Sequence, residues 1–309
     1  MNCFMTGATG VVGRPAVRAL VDAGHEVRAV ARDDAKADRL RAAGAEPVTV
    51  DVFDGPALVD AVAGCDAIVH LATNVPKLSR MGVPGAWKTH NRLRTETTAH
   101  LLEGARIHGI DTFVKESITF TYPDRGAEWI DESVAPDASL KALAPTLEGE
   151  RLVREAGGRG IVLRFGLFYG AECRSTDEAL RLARLHGAPS AGAADAYISS
   201  ILAEDAARAV VAALAAPAGT YNVVDDEPLT RREYADAFAA AFDLPQLHLT
   251  PGGALRVVVG SSARALTASQ RVSNRQFKEV TGWRPTAASA REGWPAVAAA
   301  RQVAAGIDR

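Results

Sequence analysis

Residues 6–13 read Thr6-Gly7-Ala8-Thr9-Gly10-Val11-Val12-Gly13, three glycines at intervals of three. They follow a short apolar run and open a helical pattern, the context in which a glycine-rich turn binds a dinucleotide pyrophosphate. Glycines remove side chains where the backbone must approach the phosphates, and the helix behind them presents free N–H groups and the positive end of its dipole. Other reactive residue types are scattered. Cys3, Cys65 and Cys173 are far apart and without a C-x-x-C spacing, so neither a disulfide framework nor a structural zinc site is expected. His90 and His100 stand ten apart on one helix and cannot share a metal, so no metal is assigned.

The elements that must position the loop follow from periodicity. Short apolar runs at Cys3–Met5, Val27–Val30, Val48–Val52, Ala67–Leu71, Thr112–Glu116 and Ile161–Phe165 alternate with helix-period segments. That alternation is the sequence form of β-α-β crossovers on a parallel sheet, and six such strands predict a Rossmann-type, doubly wound α/β fold. A long helix is expected over 89–108. After Gly170 the rhythm changes to helices with irregular joints, including a Thr230/Glu233 capping box, while Tyr221–Val224 reads as a strand that returns to the main sheet. The expected organisation is a dinucleotide-binding domain over 1–170, rejoined by about 201–224. A smaller, mostly helical substrate lobe is expected from 171–200 and 225–309.

The chain has 309 residues, 35 Lys and Arg against 37 Asp and Glu, a net charge of −2 and 48% hydrophobic residues. This balance gives no attraction for nucleic acid, and no apolar run is long enough to span a bilayer. A cytoplasmic protein acting on a small molecule is expected, without nucleic-acid or membrane partners.

Taken together, the motifs resemble the extended short-chain dehydrogenase/reductase superfamily of NAD(P)-dependent epimerases and dehydratases. Gly7, Gly10 and Gly13 match that family's TGxxGxxG loop; Asp51-Val52 is similar to its adenine-contacting pair, and His70-Leu71-Ala72-Thr73 to its HLAA segment. Arg164 to Gly170 resembles its R-x-x-x-x-Y-G strand end, Tyr221-Asn222-Val223 its Y-N-V island, and Gly282-Trp283-Arg284-Pro285 its G-W-x-P. The resemblance implies NADP or NAD as cofactor and, by analogy, a homodimer. Cofactor contacts then fall on Gly7, Thr9, Gly10, Val11, Val12, Gly13, Asp51, Val52, Leu71, Ala72 and Thr73. Where NAD users of the family carry an acid after the second strand, Ala31 stands here, and Arg32 with Arg14 favours the 2′-phosphate of NADP.

The resemblance also implies a proton relay of serine, tyrosine and lysine, from which this sequence departs. Anchored on Glu150-Arg151-Leu152-Val153, the tyrosine position holds Ala142 and the lysine position Thr146. Counted back from Tyr122, the usual catalytic serine position holds Ile118 and the serine before it is Ser117. Loss of a positioned acid typically costs roughly 10²- to 10⁴-fold in rate. The replacement candidates are Tyr122 as proton donor, Ser117 or Thr119 holding the substrate oxygen, and Glu116 as a general base. Three readings remain open: an oxidoreductase acting on a small carbonyl or alcohol with a non-standard donor, a nucleotide-binding enzyme of non-redox chemistry, and a non-catalytic NADP sensor.

Overall fold

Cys3, Phe4 and Met5 are fully buried, as a strand covered on both faces must be. In the computed structural model, which describes residues 1–307, they lie on the first of seven parallel strands. These are β1 (Asn2–Thr6), β2 (Glu26–Val30), β3 (Glu46–Val48), β4 (Ala67–His70), β5 (Thr112–Ile118), β6 (Arg159–Phe165) and β7 (Gly219–Val223). Their order across the sheet is β7-β6-β5-β4-β1-β2-β3, so the chain winds outward in both directions from the β1/β4 boundary. The loops leaving β1 and β4 diverge there, and the resulting crevice is where such sheets bind ligands.

The helices α1 (Gly13–Asp22), α2 (Asp34–Ala42), α3 (Gly55–Ala61), α4 (Lys88–Arg94), α5 (Glu96–His108) and α6 (Ala144–Glu155) cover the sheet. One core joins the sheet to Ala16, Val17 and Leu20 of α1 and to Ala206 and Val210 of a later helix; the opposite core joins it to Leu58, Leu101 and Val153. Asp33 caps α2 by accepting the Lys36 N–H at 2.9 Å, and Asp54 caps α3 through Ala57 at 3.2 Å. A second, smaller core surrounds Trp294, whose ring centroid lies 4.9 Å from those of both Tyr169 and Phe238. Gly219–Val223 re-enters the main sheet beside β6, and the Thr230/Glu233 capping box is formed.

Two elements differ from the sequence pattern. The third strand ends at Val48 because Asp51 turns the chain, its carboxylate accepting the Phe53 N–H at 3.0 Å. The long helix breaks at Thr95, where φ is −112° and ψ is −68°; the Thr95 hydroxyl donates to the Asn91 carbonyl at 3.0 Å, a local bond that competes with regular helix.

The β1/β4 boundary is bridged by a buried histidine. His70 Nδ1 shares a 2.6 Å hydrogen bond with Thr6 Oγ1, and Nε2 lies 3.0 Å from the Leu93 carbonyl. Burial, with Lys115 nearby, holds its pKa well below 6.5, and burial with Arg94 nearby pushes His90 down to about 3. Both rings stay neutral in the folded protein and gain a proton on unfolding once the pH falls below 6.5, so their stabilisation is full above that pH and lost as the pH drops. His90→Phe therefore removes one proton from the acid limb, lowering the slope of unfolding free energy against pH by ~1.4 kcal/mol per pH unit between pH 6 and pH 4, read from denaturant titrations.

Candidate functional site

The glycine loop closes directly on the end of β4. Gly7 has φ +79°, and a Cβ there would collide with the Leu71 and Ala72 backbone; a Cβ on Gly13 would lie 2.7 Å from the Ala8 carbonyl carbon and closer still to the Gly7 oxygen. These two glycines are required by the loop itself. Gly10 is exposed, donates its N–H to the Gly7 carbonyl at 2.9 Å, and faces open space apart from that oxygen. No side chain caps α1 behind it, which leaves the helix N-terminus for an anion. Thr9 and Val11 are half-buried beside the loop and Val12 is buried. The cradle fits a dinucleotide pyrophosphate.

Leu71 is buried, Ala72 half-buried and Thr73 exposed, so the segment after β4 emerges from the sheet beside the loop. Asp51 is exposed and Val52 half-buried at the end of the third β-α unit. Arg32 is exposed after β2, with no ion pair among the described residues, while Asp33 beside it is committed to capping α2 and to an ion pair with Lys36. Arg14 meets Glu172: its guanidinium lies 3.1 Å from the Glu172 carboxylate and donates to the Glu172 carbonyl at 2.9 Å. That pair ties the cofactor helix to the segment after Gly170.

The residues expected to act on substrate are placed differently from the expectation of a lined cleft. Tyr122 has no solvent exposure; its hydroxyl donates to Asn222 Oδ1 and accepts from Arg164, both at 2.9 Å. Burial raises its pKa, against the opposing Arg164 charge, which makes it a weaker acid. Ser117 is fully buried and donates to Glu150 at 2.5 Å, while Glu116 is paired with Arg94. Thr119 is also buried. Strand alternation explains part of this: Ser117, like Phe113 and Lys115, turns toward the helices.

These side chains form two buried groups, with Lys115 close to both. Glu150 receives Arg164 in two hydrogen bonds of 2.9 and 2.6 Å, and Arg94 joins the Glu116 side chain and carbonyl. Lys115 lies over Gly149, where a Cβ would come 2.7 Å from its Cε. Burial, with Arg94 close by, pushes the Lys115 ammonium pKa down, and burial raises that of Glu116 against Arg94 and Lys115. Arg94 and Glu150 lay outside the candidates named from sequence. The signal for a buried charge network was the pair Lys115-Glu116 inside a strand, whereas Arg94 sits in a polar helix and carries no such mark.

A small apolar cluster forms where β5 ends. Ile118 and Phe120 pack with Leu140, Leu143 and Ala265. Lys141 and Ala142 are exposed on a single 3-10 turn ahead of α6, and Thr146 is buried on α6. A neighbouring cluster gathers Met81, Ala191, Leu255, Val259, Ala263 and Leu266. Among the described residues no group of three or more His, Cys, Asp or Glu side chains could hold a metal, and no helix is long and apolar enough to cross a membrane.

Fold and loop together define an extended short-chain dehydrogenase/reductase with an NAD(P) site. The chain belongs to the NAD(P)H-binding family, whose model matches residues 7–217. It is 36% identical over 95% of its length to a Streptomyces protein, 3-diazoavenalumate denitrifying reductase, of which 99% is covered. A Stenotrophomonas maltophilia 2-alkyl-3-oxoalkanoate reductase is 29% identical over 80% of this chain and 77% of its own. Human epimerase family protein SDR39U1 with NADPH shares the fold at a TM-score of 0.79 and 22% identity, over 97% of this chain and 99% of that one. The family model specifies NAD(P)H binding, and both of these sequence relatives carry the names of reductases.

Gly13→Ala should abolish NADPH binding, and Arg32→Ala should weaken NADPH by about tenfold while leaving NADH unchanged, the loss of a charge-assisted contact. Fluorescence titration of both dinucleotides reads both effects, and equal weakening for NADH would remove Arg32 from the 2′-phosphate.

Proposed function

We propose that this chain is an NADPH-dependent reductase that removes dinitrogen from a diazo-bearing arene. The observation that carries the reading is the combination of an intact glycine cradle with Ile118, Ala142 and Thr146 at the positions where the family's proton relay is expected. The dinucleotide, held by the Gly7–Gly13 loop and the segment after β4, supplies a hydride when bound, which with an arenediazonium cation balances to an arene and dinitrogen without any proton. Carbonyl reduction, by contrast, leaves an alkoxide that a positioned acid must protonate. The Streptomyces relative carries a name of the first kind, and it is similar to this chain over nearly its whole length.

The chain's own residues then have three tasks. Ile118, Phe120, Leu140 and Leu143 form an apolar wall, which keeps water from a cation that water would otherwise attack. The Glu150–Arg164 and Glu116–Arg94 pairs fix the ends of β5 and β6 beneath that wall. Tyr122 and Ser117 act as positioning residues within the same network, their hydroxyls already spent on Asn222 and Glu150.

A second reading is reduction of a small carbonyl with a replacement donor, as the name of the Stenotrophomonas relative favours. The two readings separate on isotope labelling. With NADPH deuterated at the transferred position and an arenediazonium substrate, the proposal expects deuterium on the arene carbon, evolution of dinitrogen and no label from D2O. Tyr122→Phe should then keep kcat within about threefold of the parent, since a lost general acid costs roughly 10²-fold or more. Turnover of ketones alone, with a large loss in Tyr122→Phe, would establish the carbonyl reading instead.

A further inference from the structure

Several surface arginines of this chain meet a carboxylate: Arg125 lies 2.6 Å from Glu128, Arg264 lies 2.9 Å from Asp137, and Arg291 sits between Glu227 and Glu233. Arg271 is held by rings instead. Its guanidinium carbon lies 4.2 Å from the Trp129 ring centroid and 5.0 Å from that of Tyr197. Among the described residues the guanidinium has no ion pair and no hydrogen bond. Its Nε is buried without a partner, while the terminal nitrogens, equally unpaired, reach the surface beside a Trp129 ring that is 48% exposed.

The backbone fixes that position. Arg271 stands opposite Trp129 in a short parallel pairing of Arg271–Val272 with Trp129–Ile130, and the inward residues Ile130 and Val272 pack with Tyr122 and Val224. Strand alternation then turns Trp129 and Arg271 outward. On the other side the Gln270 N–H donates to the Tyr197 carbonyl at 3.0 Å, and Ser199 Oγ donates to the Gln270 carbonyl at 2.9 Å while accepting the Val272 N–H at 3.0 Å.

Acids close to Trp129 in sequence are all engaged elsewhere. Asp124 accepts the Gly126 and Ser269 N–H groups, both at 3.0 Å, and Glu128 meets Arg125. Asp131 accepts the Ser133 N–H at 3.0 Å, Glu132 accepts the Asn222 N–H at 2.7 Å, and Asp137 takes Ser139 and Arg264. What remains is a guanidinium edge that already points one way, with aromatic faces beside it. A surface ion pair usually loses most of its worth to ordering a long side chain, and here the rings have ordered it beforehand. The planar fork matches a carboxylate through two parallel N–H···O bonds, and the rings favour a carboxylate carried on a flat, conjugated body.

We propose that Trp129, Arg271 and Tyr197 form an open recognition site for an aryl or conjugated carboxylate. No enclosed cavity is needed, because the terminal edge of the guanidinium faces outward. Phe120 and Ala265, of the apolar cluster at the end of β5, lie a few residues before Trp129 and Arg271 on the same two segments. The acid therefore has two sources, the acceptor of the reaction assigned above or a separate ligand, and the binding claim itself is independent of that reaction.

The test is calorimetric titration of the full-length protein with cinnamate and with its methyl ester, in the presence and absence of saturating NADP+. Cinnamate should bind at least about fivefold more tightly than the ester, and Arg271→Gln should abolish the preference. Should that variant fail to fold, Trp129→Leu, which leaves Arg271 without its platform, must reduce the preference too. Equal binding of acid and ester by the parent protein, or a preference that survives in the variant, overturns the proposal. Competition separates the two sources in the parent protein: a KM for a diazo-arene raised by cinnamate but not by its ester assigns the site to the acceptor's own acid group, and an unchanged KM assigns it to a separate ligand. Absence of diazo turnover with the acid preference intact removes only the reaction, so the two readings fail separately.

Discussion

The two buried ion pairs at the ends of β5 and β6 set the terms for everything above them. Glu150 on α6 holds Arg164 of β6 and Ser117 of β5 together, and Arg94 on α4 holds Glu116. Each carboxylate has lost its water, so removing one partner would strand a charge at a cost of about 3–5 kcal/mol. The arrangement therefore locks the register of α4 and α6 against the sheet. It also commits the polar groups nearest the cleft to structure: Tyr122, which touches Arg164, has its hydroxyl filled on both sides.

That commitment separates the two halves of the site. On the cofactor side the demands are steric, and the glycine loop satisfies them with backbone alone, because Gly7 and Gly13 have no room for a Cβ. On the proposed substrate side the demands are chemical, and the cluster of Ile118, Phe120, Leu140 and Leu143 offers no group that exchanges protons. Under the proposed reaction an acceptor that is already cationic needs no acid, and an apolar surface serves it only by keeping attacking water away.

The sheet, the glycine loop and the capping box at Thr230 were legible because each depends on local pattern: period-two apolar runs, glycine spacing, a Thr and Glu three apart. The break at Thr95 was not, since it turns on a single hydroxyl bond within an otherwise helical stretch. Among the residues named for the cofactor, Arg32 is exposed after β2, while Arg14 reaches a partner 158 residues away, and no spacing rule foretells Glu172. Tyr122, Ser117 and Glu116 were chosen for following the fifth strand, but that strand runs on to Ile118 and holds Glu116 and Ser117 within it. Which way each side chain turns, and what it meets, depended on Arg94, Glu150 and Asn222, brought together only by folding. The unpaired charge of Arg271 was equally hidden, since Trp129 and Tyr197, the rings that hold it, lie far from it in sequence.

The central claim is that this cleft transfers a hydride without a proton in the same step. The most direct measurement is the solvent isotope effect on kcat with a diazo-arene, taken in H2O and D2O across the neutral pH range. The account predicts a ratio near unity and a flat pH profile, since no titrating group of the protein takes part. A clear solvent effect, with a rate that falls as an acid in the site loses its proton, would contradict it and return the search to a replacement donor.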